Sequence, residues 1–323
     1  VDLSSYGTPE ELFAPAQHLA GEEEIIDAPV YSYWRSVGRV FFSRKVNYLL
    51  LALLVLIVVF SFVYPVIIGY DPDVDPYVNL LDPDSRHLSP SGAIQKYGLG
   101  LKWLFGTGAA GQSTFDAVWY GAGISISLAL VVAVINLTIG VALGALWGLS
   151  KRVDAVMTEI YNVLANIPYI LLISVLVLVL SADFWTMVLA LTVTGWLGIA
   201  YFIRTQVIII RDREYNLASR CLGTPVWRIL TRNVLPYMTS IIVTLAAAEI
   251  PSYISYEVFL SYIGMGISQM SLGKLIQSAQ SAMLTPGWGM EFWSPVAVAS
   301  AITVVLYLIG QNLGDASDPK RHI

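Results

Sequence analysis

Charge is what this sequence has least of. Only 13% of its 323 residues are Asp, Glu, Lys or Arg, while 56% are hydrophobic. Soluble domains carry about 25% charged residues. Charge this sparse, with a mean hydropathy of +0.67, points to a membrane protein. Cysteine is nearly absent as well. A single one, Cys221, excludes an internal disulfide and any multi-cysteine metal site. The three histidines, His18, His87 and His322, lie far apart in sequence and argue against a histidine metal site. The net charge of -5 lacks the basic balance of a nucleic-acid binder. No nucleophile–base or metal constellation supports a membrane enzyme.

Some spellings look like motifs and carry no chemistry. Gly273-Lys274 hints at a phosphate loop, but Ser268 stands where its first Gly is needed and Leu275 replaces Ser/Thr. This chain is not expected to hydrolyse ATP. Asn136-Leu-Thr138 spells a glycosylation sequon but lies inside an apolar run. Five acids between Asp71 and Asp84 lack the Gly and terminal Glu of a calcium loop.

Long apolar runs are what is there. A spanning helix needs about 20 mostly apolar residues. Six candidates qualify: 46–68, 122–149, 155–180, 184–203, 239–263 and 292–310. They lack barrel-type alternation, so the expected class is all-α, a polytopic protein with six transmembrane helices. Residues 1–45 are polar and acid-rich, with Glu10, Glu11 and Glu22 to Glu24. The run that follows exceeds a signal h-region of about 7–15 residues and is expected to stay as an anchor. Gly140, Gly144 and Gly148 make a small-xxx-small stripe for close helix packing. Asn166-Ile-Pro168 should kink the third span.

The basic residues set an orientation. With the N-terminus inside, the inner segments hold Arg35, Arg39, Arg44, Lys45, Lys151, Arg152, Arg204, Arg211, Arg213, Arg220, Arg228, Arg232, Lys320 and Arg321. The outer ones hold only Arg86, Lys96, Lys102 and Lys274. The positive-inside rule favours both termini in the cytoplasm. The expected layout is then a cytoplasmic segment 1–45, a first span 46–68, and an extracytoplasmic loop 69–121. A five-helix core 122–310 and a cytoplasmic tail 311–323 complete it. The outer loop reads as solvated.

Between spans four and five lies a basic, amphipathic stretch, 208–236, expected on the cytoplasmic side. Two short helices about a turn are expected. Leu217, Ala218, Cys221 and Leu222 share one stripe. Gly223 stops the first helix and Pro225 starts the second. Val226, Trp227, Leu230 and Val234 make one face of the second, and Arg228 and Arg232 another. Leu235-Pro236 leads into span five. Two readings stay open: a membrane-surface pair whose arginines meet anionic lipid, or a docking piece for a soluble partner. Within span five, Glu249, Tyr253, Tyr256 and Glu257 fall on one helical stripe. Intramembrane carboxylates usually face a cavity or the protein interior. This stripe either lines a pathway or is tied up in helix packing, with Pro251 between the two acids.

Ala218, Gly223 and Leu235-Pro236 resemble the "EAA" loop of bacterial ABC-importer permeases. Leu217 stands where that family usually has Glu, and Ser219 stands for the second Ala. Leu104-Phe-Gly-Thr-Gly-Ala-Ala-Gly-Gln-Ser-Thr-Phe-Asp-Ala-Val-Trp-Tyr-Gly-Ala-Gly-Ile-Ser125 is similar to the block before the second span of dipeptide/oligopeptide/nickel permeases. There, Gly108, Gln112 and Ser113 replace an Asp and an Arg-Asp pair. Glu257-Val-Phe-Leu-Ser-Tyr-Ile-Gly-Met-Gly266 and Gly314-Asp-Ala-Ser-Asp-Pro-Lys320 resemble two further blocks of that subfamily. Ile26-Asp-Ala-Pro-Val-Tyr-Ser-Tyr-Trp34 and Tyr215-Asn-Leu-Ala-Ser-Arg220 resemble the C-type permease of Gram-positive oligopeptide importers. Of the two carboxylates, Glu257 is the one this family shares.

The resemblance implies a type I ABC-importer permease fold in a bacterial cell membrane. It implies a homologous second permease, two cytoplasmic ATPase subunits that bind ATP and Mg²⁺, an extracytoplasmic substrate-binding lipoprotein and a peptide substrate. No cofactor is expected in this chain. The loop would dock on an ATPase subunit through Glu214, Tyr215, Leu217, Ala218, Ser219, Cys221, Leu222, Gly223, Trp227, Arg228, Arg232 and Pro236. Glu249, Tyr253, Tyr256 and Glu257 are the candidate pathway residues. A dipeptide or nickel permease is the nearer alternative. An ion-coupled carrier using Glu249 and Glu257 is the rival from another class.

Overall fold

A computed structural model describes residues 33–317. The acidic stretch 1–32, the start of the motif at Ile26, and residues 318–323 lie outside the described residues. A short N-terminal unit ends at Ser36, and the main body begins at Val37. Helix α1 (Tyr33–Ser43) begins in the first.

Helix α2 (Lys45–Ile68) is the first span. It makes a π-turn over Val59–Val63. Pro65 explains the turn: proline has no N–H, and its ring crowds the carbonyl four residues back, that of Ser61. The displaced Ser61 carbonyl comes to rest on Gly123, where a Cβ would lie 2.6 Å from it.

Residues 69–113 form a folded lobe, not the solvated loop expected from composition. Lys96, on α3 (Pro90–Tyr97), reaches Asp82 at 2.7 Å and Ser85 at 2.8 Å. The Lys96 bond holds the Asp82 carboxyl below the usual carboxylate range. Tyr97 stacks on Trp103 at 4.2 Å.

Helix α4 (Thr114–Trp147) starts eight residues before the apolar run begins. Ser113 caps it by accepting the Asp116 N–H, and Phe115, Val118 and Trp119 in the added turns are buried. The third span is two helices, α5 (Lys151–Ala165) and α6 (Tyr169–Val179), bent by 71° at the expected Asn166–Pro168 break. The fourth is α7 (Phe184–Val193) and α8 (Trp196–Arg211), running about two turns past the apolar stretch. At the α7–α8 break, a Cβ on Gly195 would lie 2.5 Å from the Asn136 amide nitrogen.

The glycine stripe joins α4 to α8. A Cβ on Gly140 would meet Ile199 at 2.6 Å, on Gly144 Ile203 at 2.8 Å, and on Gly148 Val207 at 2.7 Å. Lipid is as apolar as these side chains, so such a joint is held by close packing, which any side chain would open. The contacts advance together along both helices, so α4 and α8 run parallel. Their C-terminal ends lie together, and Arg211 donates to the Gly148 carbonyl at 2.7 Å.

Helices α9 (Glu214–Cys221) and α10 (Val226–Ile229) follow at that end. Helix α11 (Thr239–Tyr262) returns unbroken through Pro251. Beyond it come α12 (Leu272–Ser278), α13 (Gln280–Met283) and α14 (Gly289–Ser317). Glu291 at the start of α14 accepts from His87 at 2.8 Å and from the Ala109 N–H at 3.0 Å, so the lobe is fastened to this helix. His87 also stacks on Trp288 at 3.6 Å. At the other end Arg44 pairs with Asp315. The lobe and the α9–α10 segment therefore sit at opposite ends of the helices. Among the described residues there is no strand, only an isolated Thr107–Ser113 bridge.

Candidate functional site

The segment after α8 is a helical hairpin. Gly223 ends α9 with φ +83°, the left-handed conformation that favours glycine. The Gly223 N–H donates to Arg220 and the Thr224 N–H to Ser219, each at 3.0 Å. These two bonds satisfy carbonyls that the helix end leaves open. Pro225 then precedes α10, which passes through a π-turn over Leu230–Val234 into Leu235–Tyr237. Pro236 lacks the N–H for a regular ladder here, as Pro65 does in α2.

Ile229, Leu230 and Val234 anchor the second arm. They pack with Ile203, Val207 and Ile210 of α8 and Ala145 of α4. Of the expected apolar face, Leu230 and Val234 are buried and Trp227, also a candidate docking residue, is 59% exposed. Position 229, not 227, shares the buried side with 230 and 234. Asn216 is the residue that sequence reasoning missed. It is fully buried, donates to the Ile210 carbonyl at 2.8 Å and accepts from Asn233 at 3.0 Å. The two arms are thereby clamped to each other and to α8. An amide amid docking-type residues was the available signal.

The remaining hairpin residues point outward. Glu214, Tyr215, Leu217, Ala218, Cys221, Leu222, Trp227, Arg228, Arg232 and Pro236 are exposed, and Ser219 is half-buried. Leu222 at 87% exposure is the most open of the apolar ones. At the root, the Arg211 guanidinium holds the Asp212 carboxyl below its ordinary range, donating at 2.8 and 2.9 Å. Arg213 lies 5.3 Å from the centre of the Tyr237 ring.

A cavity of about 460 Å³ opens where the α5–α6 bend and the α7–α8 break face α11. Tyr161, Tyr169, Phe202, Glu249, Tyr253 and Tyr256 line it, and Ser252 joins them. Tyr169 donates to the Leu191 carbonyl at 2.9 Å, and Tyr256 meets its ring edge to face at 5.5 Å. Asn136, buried in α4, donates to the Tyr253 hydroxyl at 2.7 Å and fixes that ring. The asparagine of the inert sequon is thus a support for the cavity wall.

Glu257 does not join this wall, which corrects the single stripe expected in span five. It is fully buried. One carboxylate oxygen accepts from Ser261 at 2.8 Å and Ser271 at 2.6 Å, and the other from Ser125 at 2.8 Å. Ser125 in turn accepts the Leu272 N–H at 3.1 Å. One carboxylate therefore ties α4, α11 and the start of α12 together. Gly273 gives it room, since a Cβ there would lie 2.8 Å from the Glu257 oxygen. Among the described residues no group of three or more His, Cys, Asp or Glu is placed to hold a metal ion.

Comparison with known proteins gives this geometry a context. Residues 140–323 match the family described as "Binding-protein-dependent transport system inner membrane component". Residues 32–90 match "N-terminal TM domain of oligopeptide transport permease C". The sequence is 44% identical to the oligopeptide transport system permease protein AmiD of Streptococcus pneumoniae, covering 93% of this chain and 94% of that one. It is 32% identical to the oligopeptide permease OppC of Bacillus subtilis, over 97% and 98% of the two chains. It is 33% identical to the dipeptide permease DppC of the same species, over 97% and 93%.

Proposed function

Because this chain belongs to the binding-protein-dependent transport system inner membrane components, and is a multi-pass ABC-transporter permease subunit, we propose that it forms one half of an ATP-driven import pathway for oligopeptides. Oligopeptide permeases among its relatives support that substrate class, and dipeptide permeases mark the alternative. In this reading a homologous second permease completes the pathway. Two cytoplasmic ATPase subunits bind ATP and Mg²⁺. An extracytoplasmic binding lipoprotein delivers substrate at the 69–113 lobe. Both termini lie in the cytoplasm, in keeping with the distribution of basic residues.

The observation that carries the coupling role is the hairpin's division into a buried root and an exposed tip. The tip offers Leu217, Cys221, Leu222 and Trp227 to a partner's groove, with Arg228 and Arg232 beside them. The root is continuous with α8 through Ile229, Leu230 and Val234. Helix α8 also carries Phe202 into the cavity wall. A push on the tip when the ATPase pair closes would pass through the Asn216 clamp into α8. The glycine joint would carry it on to α4, changing access to the cavity. Coupling of this kind needs an element with two arrangements that both sites bias. The α5–α6 bend and the α7–α8 break are the candidates.

Cys221 is a built-in reporter, exposed on the tip. A membrane-impermeant maleimide should label it in inside-out vesicles and not in intact cells. Bound ATPase subunits should slow labelling about tenfold or more. Rapid labelling from outside intact cells would overturn the orientation and the coupling role together. Uptake by this chain without ATPase subunits would instead favour the ion-coupled carrier.

A further inference from the structure

We infer that Glu249 is the transient counter-ion for a primary ammonium of the peptide in transit, held in a cavity whose one charged side chain is this carboxylate. The inference rests on the permease reading above and names the chemistry of its cavity.

Helix α11 itself supplies the contrast that carries the argument. A carboxylate within a membrane helix is expensive and is normally satisfied by protein partners. Glu257 shows how this fold satisfies a resident one, with three hydroxyl donors and no exposure. Glu249, near the middle of the same helix, is treated differently. It is half-buried and borders the cavity. Its one side-chain hydrogen bond is with the Tyr253 phenol, and among the described residues it makes no ion pair. No Lys, Arg or His lines the cavity with it. The site therefore holds one acidic group and no resident cation.

The rest of the wall suits the same ligand. Tyr161, Tyr169, Tyr256 and Phe202 line the cavity with the carboxylate, so the wall is rich in aromatic rings. Aromatic ring faces attract an ammonium group through the ring quadrupole, by roughly 0.5–2 kcal/mol each when well placed. Ser252 adds a hydroxyl acceptor. An anionic group would find no basic side chain in this wall, only the first turn of α8 at Gly195 to Gly198. The volume, about 460 Å³, lies within the range of roughly 300–1,000 Å³ of small-ligand sites. It admits one end of an extended peptide. A peptide offers a primary ammonium at its amino terminus or on a lysine side chain, and either would neutralise Glu249 on passage.

The test uses the assembled transporter in nanodiscs, with Cys221→Ser and Ser252→Cys in this chain. The rate at which a neutral maleimide labels position 252 reports cavity occupancy, whether or not the binding protein delivers the peptide. Three probes are compared at millimolar concentration: trialanine amide, N-acetyl-trialanine amide, and an N-acetylated tripeptide amide with a central lysine. Trialanine amide should protect position 252 about tenfold better than its acetylated form, the size of one charge-assisted hydrogen bond. Adding Glu249→Gln should abolish that difference, and Glu249→Asp should keep most of it. Protection by the lysine peptide would extend the site to side-chain ammonium groups, and its absence would restrict it to the amino terminus. Equal protection by the acetylated and free peptides would overturn the inference, as would a preference that survives Glu249→Gln. Trialanine uptake by the wild-type transporter separates the two failures. Absent uptake sinks the permease reading, and uptake without charge-dependent protection sinks only the role of Glu249.

Discussion

Glu249 and Glu257 lie eight residues apart on α11, in opposite surroundings. Glu257 is enclosed by hydroxyl groups from three segments. Glu249 faces a cavity whose other polar groups are phenols and a serine or threonine hydroxyl. The difference teaches that an intramembrane carboxylate is not by itself a pathway residue. What decides its role is how completely the protein satisfies it. A carboxylate enclosed by three hydroxyl donors holds helices together, and one bonded to a single phenol on a cavity wall has capacity left for a ligand.

The comparison breaks most visibly at Glu257. Glu257→Ala leaves the hydroxyls of Ser125, Ser261 and Ser271 without their acceptor and opens a void among three helices. The expected cost is about 3 kcal/mol, read as lower thermal stability of the purified protein and lower membrane abundance. Ser125→Ala should cost less, about 1–2 kcal/mol, because it removes one donor to Glu257 and one acceptor for the Leu272 N–H. Glu249→Gln should have the smallest effect on the same readout, within about 0.5 kcal/mol, since the carboxamide keeps an oxygen to accept from Tyr253. A stability loss at Glu249 as large as at Glu257 would erase the distinction.

Much of this architecture is legible in the sequence. The apolar runs mark the spans, the glycine spacing marks the α4–α8 joint, and Asn166–Pro168 marks the bend. The Gly223 turn follows from its place between two short helical patterns. Local periodicity could not divide the two carboxylates. At about 100° per residue, Glu257 lies only about 80° around the helix from Glu249. That rotation turns it from the cavity toward α4 and α12. Its partners Ser125 and Ser271 come from other elements, which no pattern within span five reveals. The 69–113 lobe reads as loop because its order rests on side-chain bonds between distant residues, such as Lys96 to Asp82 and His87 to Glu291.

Ser252 and Ser261 mark the two surroundings with side chains that cysteine replaces almost without change of shape. Ser252 borders the cavity beside Glu249, and Ser261 bonds to Glu257 in the buried knot. The most direct measurement is the reactivity of each, as Ser252→Cys and Ser261→Cys on a Cys221→Ser background, toward a small cationic thiol reagent in the assembled transporter. Position 252 should react, with a rate that changes about tenfold or more between the nucleotide-free and ATP-bound states. Position 261 should stay unreactive in both. Equal reactivity at the two positions, or a rate at 252 indifferent to nucleotide, would contradict a helix divided between a moving cavity wall and a fixed buried knot.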